Sequence, residues 1–209
     1  MNLRPARATR DSPAMAQDSS LPEFWSTRYR DHVTPWDAGK VPAELRHFAA
    51  TLPALTRILV PGCGSAHEVV FLAQARMDVL AIDFSPEAVE LAQQHAGALA
   101  DRIRLADFFT FDPGSAPVEV IYERAFLCAL PRKLWTRYAE RMADLLAPQQ
   151  RLAGFFFYSD NLKGPPFGTS PQELLDLLDA AFERIEDRPT AEPLPVFQDG
   201  ERWQVWRRR

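Results

Sequence analysis

Arg57-Ile58-Leu59-Val60-Pro61-Gly62-Cys63-Gly64 is the stretch that decides the fold. Arg57 to Val60 is a short apolar run that reads as a buried strand, and the glycines after it read as a tight turn. Ser65-Ala66-His67-Glu68 has the form of a capping box and predicts a helix start, with the helix running to about Ala75. A second apolar run, Asp78-Val79-Leu80-Ala81-Ile82, ends at Asp83, followed by Phe84 and Ser85. Two strands therefore flank a helix, a glycine turn follows the first, and a carboxylate ends the second about 20 residues on. This is the arrangement by which a parallel sheet binds a nucleoside: backbone approaches the ligand at the glycines and an acid takes the ribose hydroxyls. The alternative is a plain strand-to-helix turn of any α/β protein.

A dinucleotide site calls for Gly-x-Gly-x-x-Gly. Here His67 stands in the third glycine position, which counts against a pyrophosphate and a nicotinamide cofactor. S-adenosylmethionine fits better, since its ribose needs the acid and its amino-acid tail needs the turn.

The rest of the chain alternates helix and strand. Leu21, Trp25, Tyr29 and Val33 fall on one face of a predicted helix, with Phe24 beside them, and a second helix spans about Pro42 to Thr51. Ser85-Pro86-Glu87 opens another helix, with serine as cap and proline at the first position. Arg102 to Ala106, Val118 to Tyr122 and Arg151 to Tyr158 read as strands, Pro131 to Leu146 as an amphipathic helix. A Gly/Pro-rich loop from Asn161 to Thr169 precedes a helix capped by Ser170. Phe182 to Arg188 and Arg202 to Trp206 read as a closing antiparallel pair. The fold class is α/β, with a mostly parallel sheet and helices on both faces.

Composition narrows the function classes. The net charge is −4, so no broad basic face for nucleic acid is implied, and no apolar run is long enough for a membrane span. The two cysteines, Cys63 and Cys128, each lie in an apolar element. This argues for a reducing, cytoplasmic setting without disulfides. The four histidines lack ligand spacing, so no metal is expected. Residues 1–20 are polar and read as a disordered tail, with Met15 a second candidate start.

Taken in order, several pieces resemble the thiopurine S-methyltransferase family, and within it the halide and thiol methyltransferase branch. They are Phe24-Trp25, Pro35-Trp36-Asp37-Ala38-Gly39, Val60-Pro61-Gly62-Cys63-Gly64, Asp83-Phe84-Ser85, Ala106-Asp107-Phe108-Phe109, the run Tyr122 to Leu130, and Gly164-Pro165-Pro166-Phe167. The resemblance implies a Rossmann-like class I methyltransferase: one domain over residues 21–209, a seven-stranded sheet, and residues 21–51 as a helical lid. It implies S-adenosylmethionine as cofactor and a small soft methyl acceptor, a thiol, thiopurine, bisulfide or halide; a monomer is expected. An O- or N-methyltransferase of the same fold and a non-catalytic cofactor-binding module are the alternatives.

The resemblance also assigns roles. Trp25, Tyr29 and Trp36 match positions that cover the cofactor, and Gly62, with Cys63 and Gly64, the turn under its amino-acid part. Asp83, leading Phe84 and Ser85, matches the ribose acid. Asp107 and Phe108 match the pair at the adenine, and Arg124 a contact near the methionine tail. On periodicity alone Trp25 and Tyr29 read first as the core stripe of a helix, whereas Trp36 sits in a turn, where a ligand or lid role is commoner. Arg124 could instead pair with Glu123 or another nearby acid. Tyr158 is the substrate-side candidate, with Phe157 as the competing position, and Arg202 is a second. No catalytic base is identified; Cys63 reads as a small buried residue and not as a nucleophile.

Overall fold

The computed structural model describes residues 18–197 and 200–209. Its seven strands are β1 (Arg57–Pro61), β2 (Asp78–Asp83), β3 (Ile103–Leu105), β4 (Val118–Arg124), β5 (Leu146–Phe157), β6 (Phe182–Pro189) and β7 (Glu201–Arg208). They form one sheet in the order β3-β2-β1-β4-β5-β7-β6. The first five are parallel, and β7 runs antiparallel between β5 and β6. Strand order reverses between β1 and β4, and in open α/β sheets the crevice beyond that switch point is where ligands bind.

Among the described residues six α-helices accompany the sheet: α1 (Pro22–Arg30), α2 (Ala43–Ala50), α3 (His67–Gln74), α4 (Pro86–Ala96), α5 (Trp135–Leu145) and α6 (Pro171–Leu178). Because strand side chains alternate, β1 sends Ile58 and Val60 to one face and Leu59 to the other. The first face packs against α2, α3 and α4 through Leu45, Phe48, Val69, Leu72 and Ala92. The second packs against α5 and α6 through Trp135, Tyr138, Met142, Leu174 and Leu178. Burial of two such apolar layers, at about 25 cal/mol per Å² of apolar surface, is the main source of stability.

Several expected boundaries move. The capping box does not form. Ala66 stands at the N-cap of α3 in left-handed backbone, at φ 60°, and the Ser65 hydroxyl donates to Asp37. Helix α1 stops at Arg30, so Val33 lies beyond it, 54% exposed and off the apolar face. Strand β4 runs on to Arg124. Leu146 opens β5, pairing with Val118, and does not close α5. The caps at Ser85 and Ser170 are as read: their hydroxyls accept the N–H of Ala88 and of Glu173. Of the expected tail, residues 1–17 lie outside the described residues. Ser19 and Ser20 belong to the fold: the Ser19 carbonyl accepts Trp25 Nε1 at 2.9 Å, and Ser20 lines the main cavity. Among the described residues no helix is long and apolar enough to cross a membrane.

Candidate active site

A cavity of about 390 Å³ lies at the carboxyl ends of β1, β2 and β4, closed from above by α1 and the turn after it. Its size is that of a pocket for a ligand of a few tens of atoms. The glycine turn forms one edge. Gly62 has φ +61°, and a Cβ there would sit 2.7 Å from Phe126 Cδ2. At Gly64, φ +51°, a Cβ would sit 2.9 Å from Tyr29 Oη. Both positions need the left-handed region and the missing side chain.

Asp83, at the end of β2, is buried and lines this cavity. Its Oδ1 accepts the Ser85 N–H at 3.0 Å and its Oδ2 the Gly64 N–H at 3.2 Å. Burial raises its pKa, and the N–H groups of Ser85, Gly64 and Phe84 oppose the rise. Phe84 lines the cavity beside it. Beyond β3, Asp107 lies at the exposed rim, where its Oδ1 accepts the Phe109 N–H at 2.8 Å. Phe108 is buried, edge-on to Phe126 at 5.2 Å.

The roof is aromatic. Trp36 meets Trp25 edge to face at 5.3 Å and Tyr29 at 6.1 Å, and its Nε1 donates to Tyr29 Oη at 3.4 Å. All three line the cavity. Burial, with Asp83 adding to it, keeps the Tyr29 hydroxyl protonated.

A smaller cavity of about 60 Å³ shares Trp36, Gly62, Arg124 and Ala125 with the first and continues past Cys63 and Gly64. Arg124 is paired there with acids other than Glu123: Nε donates to Glu201 Oε1 at 3.1 Å, and Nη1 lies 3.7 Å from Glu68 Oε1. Glu123 instead accepts the Leu127 N–H at 2.8 Å, and burial pushes its pKa up to about 8. Tyr122 also lines this small cavity, and its buried hydroxyl has no hydrogen-bond partner among the described residues. Cys63 is buried in the same wall, its thiol pushed well up by burial and by Asp83.

Three candidates lie off both cavities. Ser85 is spent on the cap of α4 and on a 3.0 Å hydrogen bond shared with the Ser26 hydroxyl. Tyr158 Oη accepts Gln204 Nε2 at 2.6 Å, and Arg202 Nε donates to Asp187 at 2.7 Å. Arg202 and Gln204 are two apart on β7 and so share a face, the one turned away from Glu201 and Trp203. The competing Phe157 packs at 4.9 Å on Phe197, which does line the main cavity.

Other wall residues have no role assigned to them from sequence, although Phe126, Cys128, Pro165 and Pro166 lie in stretches that carry the family resemblance. Phe126 and Cys128 come from the segment after β4, and Val196 and Phe197 from the segment after β6. Pro165 and Pro166 come from the loop already marked by its composition. Arg28 and Arg137 add two cations; their guanidinium carbons lie 3.4 Å from the Phe24 ring centre and 4.4 Å from that of Phe109.

The donor set suits a sulfonium nucleoside. A buried acid with lone pairs to spare stands for a diol, and phenylalanine faces for a purine. Indole and phenol rings suit a sulfonium, a contact worth about 0.5–2 kcal/mol. An acid, a guanidinium and an unpaired hydroxyl in the smaller cavity suit an amino-acid tail. Fold and site together define the class I S-adenosylmethionine-dependent methyltransferase architecture. The sequence profile of the thiopurine S-methyltransferase family matches residues 20–209. A probable thiol methyltransferase 2 of Arabidopsis thaliana is 32% identical over 169 residues, covering 77% of this chain and 74% of that protein. A thiopurine S-methyltransferase of Vibrio cholerae serotype O1 is 30% identical over 179 residues, covering 75% and 80%. Among solved structures, the 1,6-didemethyltoxoflavin-N1-methyltransferase of Burkholderia thailandensis, with bound S-adenosylhomocysteine, superposes with a TM-score of 0.69. It is 21% identical, covers 98% of this chain and 93% of that one, and so speaks for the fold. The chain belongs to the thiopurine S-methyltransferase family. It is a methyltransferase with S-adenosylmethionine as cofactor.

Proposed function

We propose that this methyltransferase acts on a small soft nucleophile, a thiol first and bisulfide, thiopurine or halide beside it, in the cytoplasm and as a monomer. One observation carries the reading. Among the described residues the main cavity is lined by no histidine, lysine or glutamate. Its two carboxylates stand at the ends of β2 and β3, Tyr29 stays protonated, and burial pushes the Cys128 thiol well up. An acceptor that needs a strong base to ionise it finds none among the described lining residues. A thiolate or other soft anion brings its own lone pair. The names of the Arabidopsis and Vibrio relatives point to sulfur acceptors as well.

The proposed roles follow. Asp83 accepts the ribose hydroxyls, Phe84 and Phe108 flank the adenine, and Asp107 receives its amino group. Gly62, Cys63 and Gly64 let backbone approach the methionine part, and Arg124, balanced between Glu201 and Glu68, faces its carboxylate. When bound, the cofactor supplies an electrophilic methyl on a sulfonium. Trp25, Tyr29 and Trp36, within residues 21–51 as a lid, surround that cation and exclude water. Cys128, Pro165, Pro166, Val196 and Phe197 form an apolar wall that strips water from the acceptor and aligns it, the two contributions expected of a protein in such a transfer. Tyr158, Ser85 and Arg202 have no contact role in this reading.

Calorimetric titration with S-adenosylmethionine, followed by turnover with bisulfide, a small thiol, iodide and a phenol, tests it. Turnover on bisulfide or the thiol, and none on the phenol, is expected. Turnover on the phenol alone would move the enzyme to oxygen acceptors, and binding with no turnover on any of the four would favour a cofactor-binding module.

A further inference from the structure

Asp37 follows Trp36 directly in the turn Pro35-Trp36-Asp37-Ala38-Gly39. Both of its oxygens are engaged. Oδ1 accepts the Gly39 N–H at 2.8 Å and lies 3.3 Å from His67 Nε2, while Oδ2 accepts the Ser65 hydroxyl. The bond to Gly39 is a local Asx turn that shapes the loop. The other two cross from the loop to the glycine turn and to the first residue of α3. Ser65 is held from its far side too: its carbonyl lies 2.7 Å from His95 Nδ1, and the His67 and His95 rings meet at 4.4 Å. The anchor is thus braced by α4 as well as α3.

Trp36 leans on neighbours that are themselves part of the roof, Trp25 and Tyr29. The backbone of its turn closes on itself, Asp37 N–H to the Thr34 carbonyl at 2.9 Å. The polar tie from this turn to the glycine turn beneath the cofactor site is the Asp37 carboxylate. With only 23% of its side chain exposed, that tie is shielded from most competing water. Ser65 is free to donate in this way because α3 starts one residue later than a capping box would place it, after Ala66 in left-handed backbone.

We propose that Asp37 is a positioning residue, a latch that fastens the Trp36 loop to Ser65 and His67 and so holds Trp36 closed over the cofactor. The proposal rests on the reading of Trp36 as cofactor cover. It makes the latch, and not contact with the ligand, the source of any effect of Asp37. Loss of the latch should speed cofactor release and raise the cofactor KM. The acceptor KM, at saturating cofactor, should stay where it is.

The test is a double-mutant cycle on cofactor affinity and release rate, with Trp36→Ala, Asp37→Ala and the double variant. Trp36→Ala is expected to weaken binding on its own. Asp37→Ala should raise both the dissociation constant and the release rate about tenfold, the factor that corresponds to about 1.4 kcal/mol. In the Trp36→Ala background it should add less than twofold. Ser65→Ala, which removes only the partner hydroxyl, should give a smaller rise in the same direction. Should Asp37→Ala lose its fold in thermal melts, Asp37→Asn, which keeps the Gly39 acceptor, and Ser65→Ala carry the cycle in its place. A full tenfold effect of Asp37→Ala without Trp36 would overturn the latch, since Asp37 would then act on the glycine turn alone. So would an Asp37→Ala variant that binds like the parent while Trp36→Ala does not. If Trp36→Ala itself binds like the parent, the cover reading and the latch fall together.

Discussion

Replacing Asp83 by asparagine separates what the fold asks of this side chain from what a ligand asks of it. Burial raises the Asp83 pKa above its ordinary value of 3.8, against the pull of three backbone N–H groups. The native state therefore holds this proton more tightly than the unfolded chain does. The cost of carrying the charge is absent below the unfolded pKa, builds as pH rises, and is complete above the native pKa. Asparagine has no such cost. It keeps one oxygen, enough for the Ser85 N–H at 3.0 Å, but turns an amide nitrogen toward the Gly64 N–H. A buried donor left without its acceptor costs about 1–3 kcal/mol. Relief of the buried charge and loss of that bond oppose each other. The ligand-free variant should therefore melt within about 4 °C of the parent at pH 7, at roughly 2–4 °C per kcal/mol for a chain of this size. Binding has no such cancellation. Hydrogen bonds to a charged group contribute about 1.5–3 kcal/mol each, against about 0.5–1.5 for neutral pairs. Two ribose hydroxyls facing an amide in place of a carboxylate should lose about 2 kcal/mol, roughly thirtyfold in dissociation constant. Calorimetric titration with S-adenosylmethionine, beside melts with and without it, reads both quantities. Affinity within twofold of the parent would refute the diol assignment. A melt lowered by more than about 10 °C at unchanged affinity would make Asp83 a fastener of the glycine turn and nothing more.

Gly62→Ala should lower the melting midpoint by at least about 4 °C and weaken cofactor binding. An alanine at φ +61° with Phe126 at 2.7 Å combines left-handed strain with overpacking, each about 1–2 kcal/mol or more. Glu123, with its pKa pushed from 4.5 to about 8 by burial, is protonated in the native state where the unfolded chain has lost the proton. Its contribution is intact below about pH 4.5 and is lost as the pH climbs toward 8, by up to about 1.4 kcal/mol per unit. Urea denaturation at pH 5.5 and 7.5 should show the parent losing about 2 kcal/mol more than Glu123→Gln, and parallel losses would place Glu123 in a better-solvated setting. Tyr158→Phe should leave kcat/KM for every acceptor within twofold while costing about 1 kcal/mol of stability, because its hydroxyl serves Gln204 and not the cavity. A tenfold drop in kcat/KM for a thiol would restore Tyr158 as a substrate contact.

The cofactor half of the site could be read from the chain because it is built by strand ends. A buried run, a glycine turn and an acid at the end of the next strand are each local, and parallel pairing of β1 with β2 brings them together. Where local pattern failed, a distant partner had won. Ser65 matches a helix cap on paper, yet the left-handed backbone at Ala66 starts α3 one residue later, and the Ser65 hydroxyl donates instead to a carboxylate 28 residues upstream. The apolar pattern ends the fourth strand at Tyr122, but β4 continues two residues further and places the Arg124 guanidinium between Glu201 and Glu68. Neither acid is adjacent in sequence, so no local rule could name the partner.

The acceptor half resisted for a different reason. At Phe157 and Tyr158 the composition offers two aromatic side chains and the strand period sends them to opposite faces. Only the pairing of β5 with β7, Phe157 opposite Glu201, decides which one turns toward the cavity side. Phe157 joins Cys128, Leu194 and Phe197 in a small apolar cluster, while Tyr158 turns to Gln204. Cys128, Pro165, Val196 and Phe197 come from three segments far apart in sequence, and only the fold brings them to one cavity. Their joint property, an apolar wall among the described residues, belongs to the assembled cavity and to no single segment. In the proposed reading the half assigned to the cofactor is therefore set by local strand-end chemistry, and the half assigned to the acceptor by register and loop packing. Substitutions at Val196 or Phe197 should accordingly change which thiol is used while leaving the Asp83 end intact.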